Sequence, residues 1–278
     1  MHHPELSEAY QHCKALTTAH YENFPVASVL LPRRVRHHIY PIYAFARHAD
    51  DLADESADLN ALRNWRTALH ACLNQPSENP IFLALANTIR ECQLPVSLFD
   101  DLLDAFERDL HQNRYADLAD LESYCRCSAN PVGRLILLLH GYQDEQRFVF
   151  SDHICTALQW TNFWQDVKVD IAKNRIYIPQ NLLRRYQVEE SEFSGRTISG
   201  DFRLMMQVLV ARTREKFRLG TPLLKGLSLR LRWELALTIR GGLAILDKIE
   251  ALDFNVLAER PKLGKKDWLK IIAGPIPT

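Results

Sequence analysis

Apolar residues recur three and four positions apart along most of the chain, which is the spacing of one face of an α-helix. Alternating runs of β-branched residues, typical of strands, are missing, and prolines separate the helical runs. We therefore predict an all-α protein in which residues 1–278 form a single helical domain. The predicted helical runs cover roughly 35–55, 59–73, 80–92, 96–110, 118–140, 150–171, 200–219 and 229–253.

Local signals refine these helices. Asp117 and Asp152 are predicted to lie at helix N-termini, where a carboxylate accepts hydrogen bonds from free backbone N–H groups. The Asn130–Pro131 step is predicted to end or bend the helix that contains it, because proline cannot donate the usual hydrogen bond. Residues 170–185 are predicted to be irregular, and residues 189–200 are predicted to form a surface loop.

Composition excludes several classes of function. Lys and Arg total 34, as do Asp and Glu, so the chain has no surplus positive charge for a nucleic acid. The 10 glycines include no Gly-x-Gly spacing, so the dinucleotide-binding fingerprint is absent. The sequence also lacks the His-Glu-x-x-His zinc motif and the Gly-x-Ser-x-Gly elbow.

The six cysteines are scattered, and we interpret them as reduced thiols of a cytoplasmic protein. The first residues contain no apolar signal core, and no apolar run approaches the roughly 20 residues that cross a bilayer. We therefore expect contact with the inner membrane to be peripheral at most.

Two pairs of aspartates carry the most informative pattern. Asp50 and Asp54 form the first pair, and Asp166 and Asp170 form the second. Carboxylates four residues apart lie on one face of a helix, about 6 Å apart along its axis, and repel each other unless a cation lies between them. Aspartate oxygens are ligands that Mg²⁺ prefers. We predict that the two pairs, supported by Asp51, hold Mg²⁺ ions and through them a diphosphate; the alternative is that each is a solvated helix face.

Polar side chains precede each pair on the same helical face. Tyr43 and Arg47 lie one to two turns before Asp50, and Gln159 and Asn162 lie one to two turns before Asp166. Guanidinium groups bind phosphate oxygens in a bidentate manner, so Arg47 and Arg175 are candidate diphosphate ligands.

Loss of a diphosphate from carbon leaves a carbocation, which aromatic ring faces stabilise. The candidate aromatic residues are equally compatible with ordinary core packing. They are Phe24, Tyr43, Tyr124, Phe163 and Trp164.

The motifs Asp50-Asp51-x-x-Asp54 and Asp166-x-x-x-Asp170 resemble those of the squalene/phytoene synthase family. The resemblance runs from about Tyr21 to about Trp268 and also includes Tyr124, Gly133–Arg134, residues 175–179 and Arg260. It implies the all-helical isoprenoid synthase bundle, with a central cavity and a Mg²⁺–diphosphate site at the mouth of that cavity.

Within this family, residues 22–28, 128–134 and 162–167 resemble the hopanoid-pathway branch called HpnC, the hydroxysqualene synthases. Members of that branch ionise presqualene diphosphate, and water captures the rearranged cation, without a nicotinamide cofactor. The resemblance implies that the five aspartates bind metal with Asn162 in support, and that Arg47, Gln159 and Arg175 bind diphosphate. It also implies that Phe24, Tyr43 and Tyr124 shape the cation pocket.

The chain departs from relatives at two places. Tyr21 and Asn23 stand where several relatives have serines, and Gln165 stands where relatives have an arginine immediately before the second motif. These changes put condensation of two farnesyl diphosphates in doubt, although head-to-head condensation stays open as an alternative. A non-catalytic assembly factor is a third alternative, but such relatives typically lose one aspartate pair.

A C30 lipid substrate implies two further partners. One is a membrane surface, contacted by a basic and aromatic edge near the C-terminus. The other is the enzyme that makes presqualene diphosphate, from which the substrate would be handed over. The edge consists of Lys262, Lys265, Lys266, Trp268, Ile271 and Ile272.

Overall fold

The computed structural model describes residues 4–19, 32–54, 58–275 and 277. Within these residues the chain forms helices and no strand; Arg114 and Ile176 make an isolated parallel bridge. The all-α prediction is therefore confirmed. The α-helices are α1 (Pro4–Ala19), α2 (Arg33–Asp54), α3 (Leu59–Cys72), α4 (Pro80–Cys92), α5 (Ser97–Asp109), α6 (Leu118–Ser128), α7 (Asn130–Leu139), α8 (Glu145–Gln165), α9 (Val167–Ala172), α10 (Gln180–Arg185), α11 (Gly200–Gly220), α12 (Leu229–Ala251) and α13 (Lys265–Ala273).

Two of the predicted boundaries are confirmed. Asp117 caps α6, because its carboxylate accepts a hydrogen bond from the Asp120 backbone N–H at 2.9 Å. The Asn130–Pro131 step separates α6 from α7, as the missing proline N–H requires. The prediction for Asp152 is wrong: it lies inside α8, which begins at Glu145, since the helical apolar pattern extends upstream of residue 150.

The two segments predicted to be irregular contain short helices. Residues 180–185 form α10, and Glu190–Ser194 form a 3-10 helix; a second 3-10 helix covers Thr221–Gly226. Phe193 is buried and stacks edge-on against Phe202 of α11 at 5.8 Å, so residues 189–200 do not form a simple surface loop. The buried Phe193 ring thus attaches this largely polar segment to α11.

By its internal contacts the chain divides into two compact units. Unit 1 consists of Met1–His111 and Pro131–Asp144, and unit 2 consists of Gln112–Asn130 and Glu145–Thr278. Each unit carries one of the two aspartate pairs. The prediction of a single domain over residues 1–278 stays a prediction.

The core of unit 1 contains a cluster of aromatic rings centred on Phe45 of α2. Phe45 is fully buried, and its ring lies 5.9 Å from Trp65 of α3, 6.2 Å from Phe82 of α4 and 5.6 Å from Phe99 of α5. These contacts fix the rotation of α2, because Phe45 and the buried Ala49 lie on its inner face. The acidic residues at the end of α2 are thereby placed beside the core.

In unit 2, α8 packs against α11 and α12. The Trp164 indole N–H donates a hydrogen bond to the Thr213 hydroxyl of α11 at 2.8 Å, so both buried polar groups are satisfied. Gly242 of α12 lies close to Phe217 of α11: a Cβ atom there would come within 2.6 Å of the Phe217 ring. The Trp164 hydrogen bond thus joins α8 to α11, and the close approach at Gly242 joins α12 to α11.

The prediction that Ile271 forms part of an exposed membrane edge is wrong. Ile271 is buried, because its side of α13 faces α12 and not solvent, and Trp268 is half-buried. The exposed apolar side chains of α13 are instead Leu269 and Ile272. Across the described residues, no helix is long and apolar enough to cross a membrane.

Candidate functional site

The first aspartate pair lies at the C-terminal end of α2. The Arg47 guanidinium lies 2.6 Å from Asp51 Oδ1 and 3.5 Å from Asp50 Oδ2, and all three side chains are partly buried. Asp54, one turn further on, is exposed, and Tyr43 is half-buried. Arg47 therefore offsets the negative charge of Asp50 and Asp51 from within the same helix.

The second pair lies where α8 gives way to α9, so the predicted continuous helix over 150–171 is interrupted. Asp166 has φ −104° and ψ 12° and belongs to neither helix. Its carbonyl nevertheless accepts the Val169 and Asp170 backbone N–H groups at 2.8 and 2.9 Å, so Asp170 still follows one turn later. Gln159 and Asn162, one to two turns before Asp166, are half-buried like both aspartates.

Arg260 binds Asp166 with two hydrogen bonds. Its Nη2 donates to Asp166 Oδ2 at 3.0 Å, and its Nε donates to Asp166 Oδ1. This contact raises the pKa of the Arg260 guanidinium above its ordinary value. The family resemblance includes Arg260 but predicts no role for it, since nothing in the local sequence links Arg260 with Asp166.

Asp170 lies one turn after Asp166 and is half-buried. Burial raises the pKa of the Asp170 carboxyl to about 7, and the neighbouring Asp166 charge adds to this effect. Arg175, Lys173 and Arg260 lower the pKa but do not outweigh burial. Near neutral pH, a cation that binds between the two carboxylates would therefore relieve an unfavourable charge.

A tight turn brings Arg175 to Asp170. Asn174 has φ 57°, a left-handed conformation that asparagine tolerates better than most residues. The turn lets the Arg175 backbone N–H donate to the Asp170 carbonyl at 2.9 Å, and Arg114 holds the Asn174 carbonyl at 2.7 Å. The Arg175 charge lowers the pKa of the Asp170 carboxyl, and the role of Arg175 as a diphosphate ligand stays a prediction.

Four aromatic rings cluster in unit 2, and two of them, Phe163 and Tyr177, flank the second pair in sequence. Phe163 and Tyr177 stack with centroids 3.8 Å apart and planes at 8°, and Tyr124 lies 6.2 Å from both. Tyr115 completes the cluster at 5.5 Å from Tyr124 and 5.6 Å from Tyr177. The structure thus brings together the predicted Tyr124 and Phe163, and adds Tyr115 and Tyr177. Phe24 lies outside the described residues.

The donor chemistry fits Mg²⁺. Within the described parts of the chain, no three His, Cys, Asp or Glu side chains form a ready cluster for a metal ion. Mg²⁺ does not require one, because it is commonly bound by one or two carboxylates together with phosphate oxygens and water. Asp166 and Asp170, two half-buried carboxylates one turn apart, match that donor set. That the two pairs share one metal site stays a prediction.

The profile of the squalene/phytoene synthase family matches residues 17–267. This chain belongs to the squalene/phytoene synthase family. The match covers both aspartate motifs, Arg175 and Arg260. Members of this family act on isoprenoid diphosphates.

Individual relatives agree with this assignment. The solved squalene synthase HpnC from Alicyclobacillus acidocaldarius is 38% identical, with a TM-score of 0.86 over 90% of this chain and 96% of that chain. Hydroxysqualene synthase from Zymomonas mobilis subsp. mobilis is 38% identical over 170 residues, which are 58% of this chain and 56% of that protein. The 15-cis-phytoene synthase of Synechococcus elongatus is 28% identical and covers 98% of this chain and 92% of that protein. The predicted isoprenoid synthase bundle and the resemblance to the HpnC branch are confirmed.

Proposed function

We propose that this protein converts presqualene diphosphate and water into hydroxysqualene and diphosphate, in the presence of Mg²⁺ and without a nicotinamide cofactor. The observation that carries the proposal is the 38% identity to the HpnC squalene synthase over 90% of the chain. Phytoene synthases match a similar length of chain at lower identity, 28% for the Synechococcus elongatus protein.

In this proposal the carboxylates hold the metal and the neighbouring side chains orient the diphosphate. Asp50, Asp51, Asp54, Asp166 and Asp170 would bind Mg²⁺, which neutralises the charge that develops on the leaving diphosphate. The polar residues of both motifs then fix the diphosphate oxygens by hydrogen bonds. They are Arg47, Gln159, Asn162 and Arg175.

The reaction breaks one C–O bond and forms another. The electron pair of the broken bond leaves with the diphosphate, and the carbocation rearranges. A water oxygen then bonds to carbon and releases a proton to solvent. No hydride is added, so the balance requires no reductant. The buried Tyr124 and Phe163 and the half-buried Tyr177 support this step, since aromatic rings stabilise a nearby cation and exclude other water. Tyr43 and Phe24 are proposed to complete the pocket.

The test is incubation of the purified protein with presqualene diphosphate and Mg²⁺, with and without NADPH. We expect hydroxysqualene in equal amounts in both reactions, and none when EDTA replaces Mg²⁺. Asp166→Asn should abolish the product, whereas Glu259→Gln, the same chemical change at an exposed position, should not. Absence of hydroxysqualene from both wild-type reactions would refute the proposal.

Head-to-head condensation is the second candidate, favoured by the phytoene synthases that match nearly the whole chain. Consumption of farnesyl diphosphate by the protein alone, with formation of presqualene diphosphate or squalene, would support it. A non-catalytic assembly role would be supported if Asp50→Ala and Asp166→Ala variants retained full function in cells.

We also propose that the protein contacts an anionic membrane peripherally. The enzyme that makes presqualene diphosphate is proposed to hand its product over to this protein. Leu269 and Ile272 on α13 are 68% and 57% exposed, and Lys265, Lys266 and Lys270 are exposed beside them. Apolar side chains flanked by lysines suit an anionic lipid surface. Replacement of Leu269 and Ile272 by serine should reduce co-sedimentation with phosphatidylglycerol vesicles; equal binding by the variant would contradict this contact.

A further inference from the structure

The segment from Leu257 to Pro261 is held against the end of α8 and the start of α9 by side chains from three nearly consecutive residues. The Gln165 amide Nε2 donates to the Pro261 carbonyl at 2.6 Å. Asp166 accepts the two hydrogen bonds from Arg260, and Lys168 Nζ donates to the Leu257 carbonyl at 2.8 Å. Residues in and beside the second aspartate motif therefore bind the segment that contains Arg260.

The Gln165 side chain takes part in this attachment through its hydrogen bond to Pro261. Its side chain is buried, and the hydrogen bond to Pro261 is buried as well. Pro261 is also buried, and its ring fixes the backbone and restricts the conformation of Arg260 just before it. A hydrogen bond to the Pro261 carbonyl consequently limits where the Arg260 guanidinium can lie.

The position of Arg260 matters for metal binding. Both carboxylate oxygens of Asp166 accept hydrogen bonds from Arg260, so a divalent cation that binds Asp166 has to share or displace this guanidinium. The positive charge of Arg260 also repels a cation that arrives without a diphosphate. A well-held Arg260 therefore weakens binding of the metal alone.

We propose that Gln165 is a positioning residue that holds Arg260 on Asp166, so that metal binds weakly until a diphosphate accompanies it. This inference rests on the proposed function, because it assigns a role to Gln165 within the same site. The Gln165 amide is directed to the protein backbone, since its Nε2 donates to the Pro261 carbonyl.

The first experiment is a Mn²⁺ titration of the substrate-free protein, followed by electron paramagnetic resonance of the free ion. Gln165→Met keeps the length of the side chain and removes the N–H donor. We expect it to bind Mn²⁺ about five- to tenfold more tightly than wild type, with Arg260→Ala tighter by at least as much. Gln180→Met makes the same substitution at a glutamine whose hydrogen bond, to Glu190, is exposed, and should leave the affinity unchanged.

The second experiment is a double-mutant cycle. If Gln165 acts through Arg260, then Gln165→Met should have no further effect on Mn²⁺ affinity in an Arg260→Ala background, because coupled residues are not additive. We expect Gln165→Met to lower kcat/KM for presqualene diphosphate about tenfold in the wild-type background. In the Arg260→Ala background, it should not lower kcat/KM further. Thermal melting of each variant checks that the fold is intact.

The outcomes separate the two proposals. Unchanged or weaker Mn²⁺ binding by Gln165→Met, or additive effects in the cycle, would overturn the positioning role. If wild type makes no hydroxysqualene from presqualene diphosphate but the Mn²⁺ cycle behaves as expected, the proposed function fails and the role of Gln165 in metal binding stands.

Discussion

Replacement of Asp170 by asparagine should stabilise the metal-free protein, and the gain should grow with pH. The pKa of the Asp170 carboxyl rises from 3.8 to about 7 on folding, first because of burial and then because of Asp166. Each pKa unit corresponds to about 1.4 kcal/mol, so the ionised carboxylate costs about 4 kcal/mol more in the folded than in the unfolded state.

The sign follows from proton linkage. Because the folded pKa is the higher one, the folded protein binds a proton more readily, and stability is lost as pH rises from about 4 through about 7. At pH 8 the full cost of about 4 kcal/mol applies, whereas at pH 5 it is about 2 kcal/mol. Asp170→Asn removes the titrating carboxyl, so the stability of the variant should not fall with pH for this reason.

Thermal melting in EDTA at pH 5 and pH 8 tests the expectation. For a chain of this length, about 4 kcal/mol corresponds to a rise in Tm of roughly 7 °C at pH 8, and the rise should be about half as large at pH 5. Glu259→Gln is the matched control, because it makes the same change at an exposed position. In place of EDTA, Mg²⁺ together with inorganic diphosphate should raise the Tm of wild type more than that of the variant. An Asp170→Asn protein that is no more stable than wild type at pH 8 would refute the reasoning.

Other substitutions test the packing that supports the site. Phe45→Ala should lower the free energy of unfolding by about 3–5 kcal/mol, because the ring is fully buried; a loss below about 1 kcal/mol in urea denaturation would contradict that burial. Asp117→Ala should cost about 1 kcal/mol through loss of the helix cap, and Asp117→Asn much less, as thermal melting of both would show. Gly242→Ala should cost about 1–3 kcal/mol because the added methyl group meets Phe217, and Phe217→Leu should recover part of this; no effect of Gly242→Ala on Tm would mean that α11 and α12 are less closely packed.

Much of the fold is predictable because its signals are local. Apolar spacing locates the long helices from α2 onward but not α1, whose 16 residues lie outside the predicted runs. Asp117 marks the start of α6, and the Asn130–Pro131 step marks the break before α7. Asp152 shows the limit of such signals, because a half-exposed aspartate suits a helix interior as well as an N-terminus. The fixed period of a helix places Asp50 and Asp51 within reach of Arg47.

The electrostatic partners in unit 2 are not predictable in the same way. No pattern in the sequence connects Asp166 with Arg260, or Gln165 with Pro261, because these pairs meet only through the packing of the intervening helices. The raised pKa of Asp170 likewise depends on burial, which the spacing of two aspartates does not determine. Tyr115 joins the aromatic cluster through the bridge between Arg114 and Ile176, which is also non-local.

The contacts made by residues 165–168 have a consequence for the order in which the protein folds. Gln165, Asp166 and Lys168 reach partners 96, 94 and 89 residues further along the chain. Closing a loop of that length costs about 4 kcal/mol of chain entropy, which the packing of α11 and α12 must offset first. A nascent chain that ends before residue 257 therefore contains both aspartates but none of these three contacts. Asp166 would therefore acquire the charge of Arg260 only after α11 and α12, which lie between the two residues in the chain, have been made.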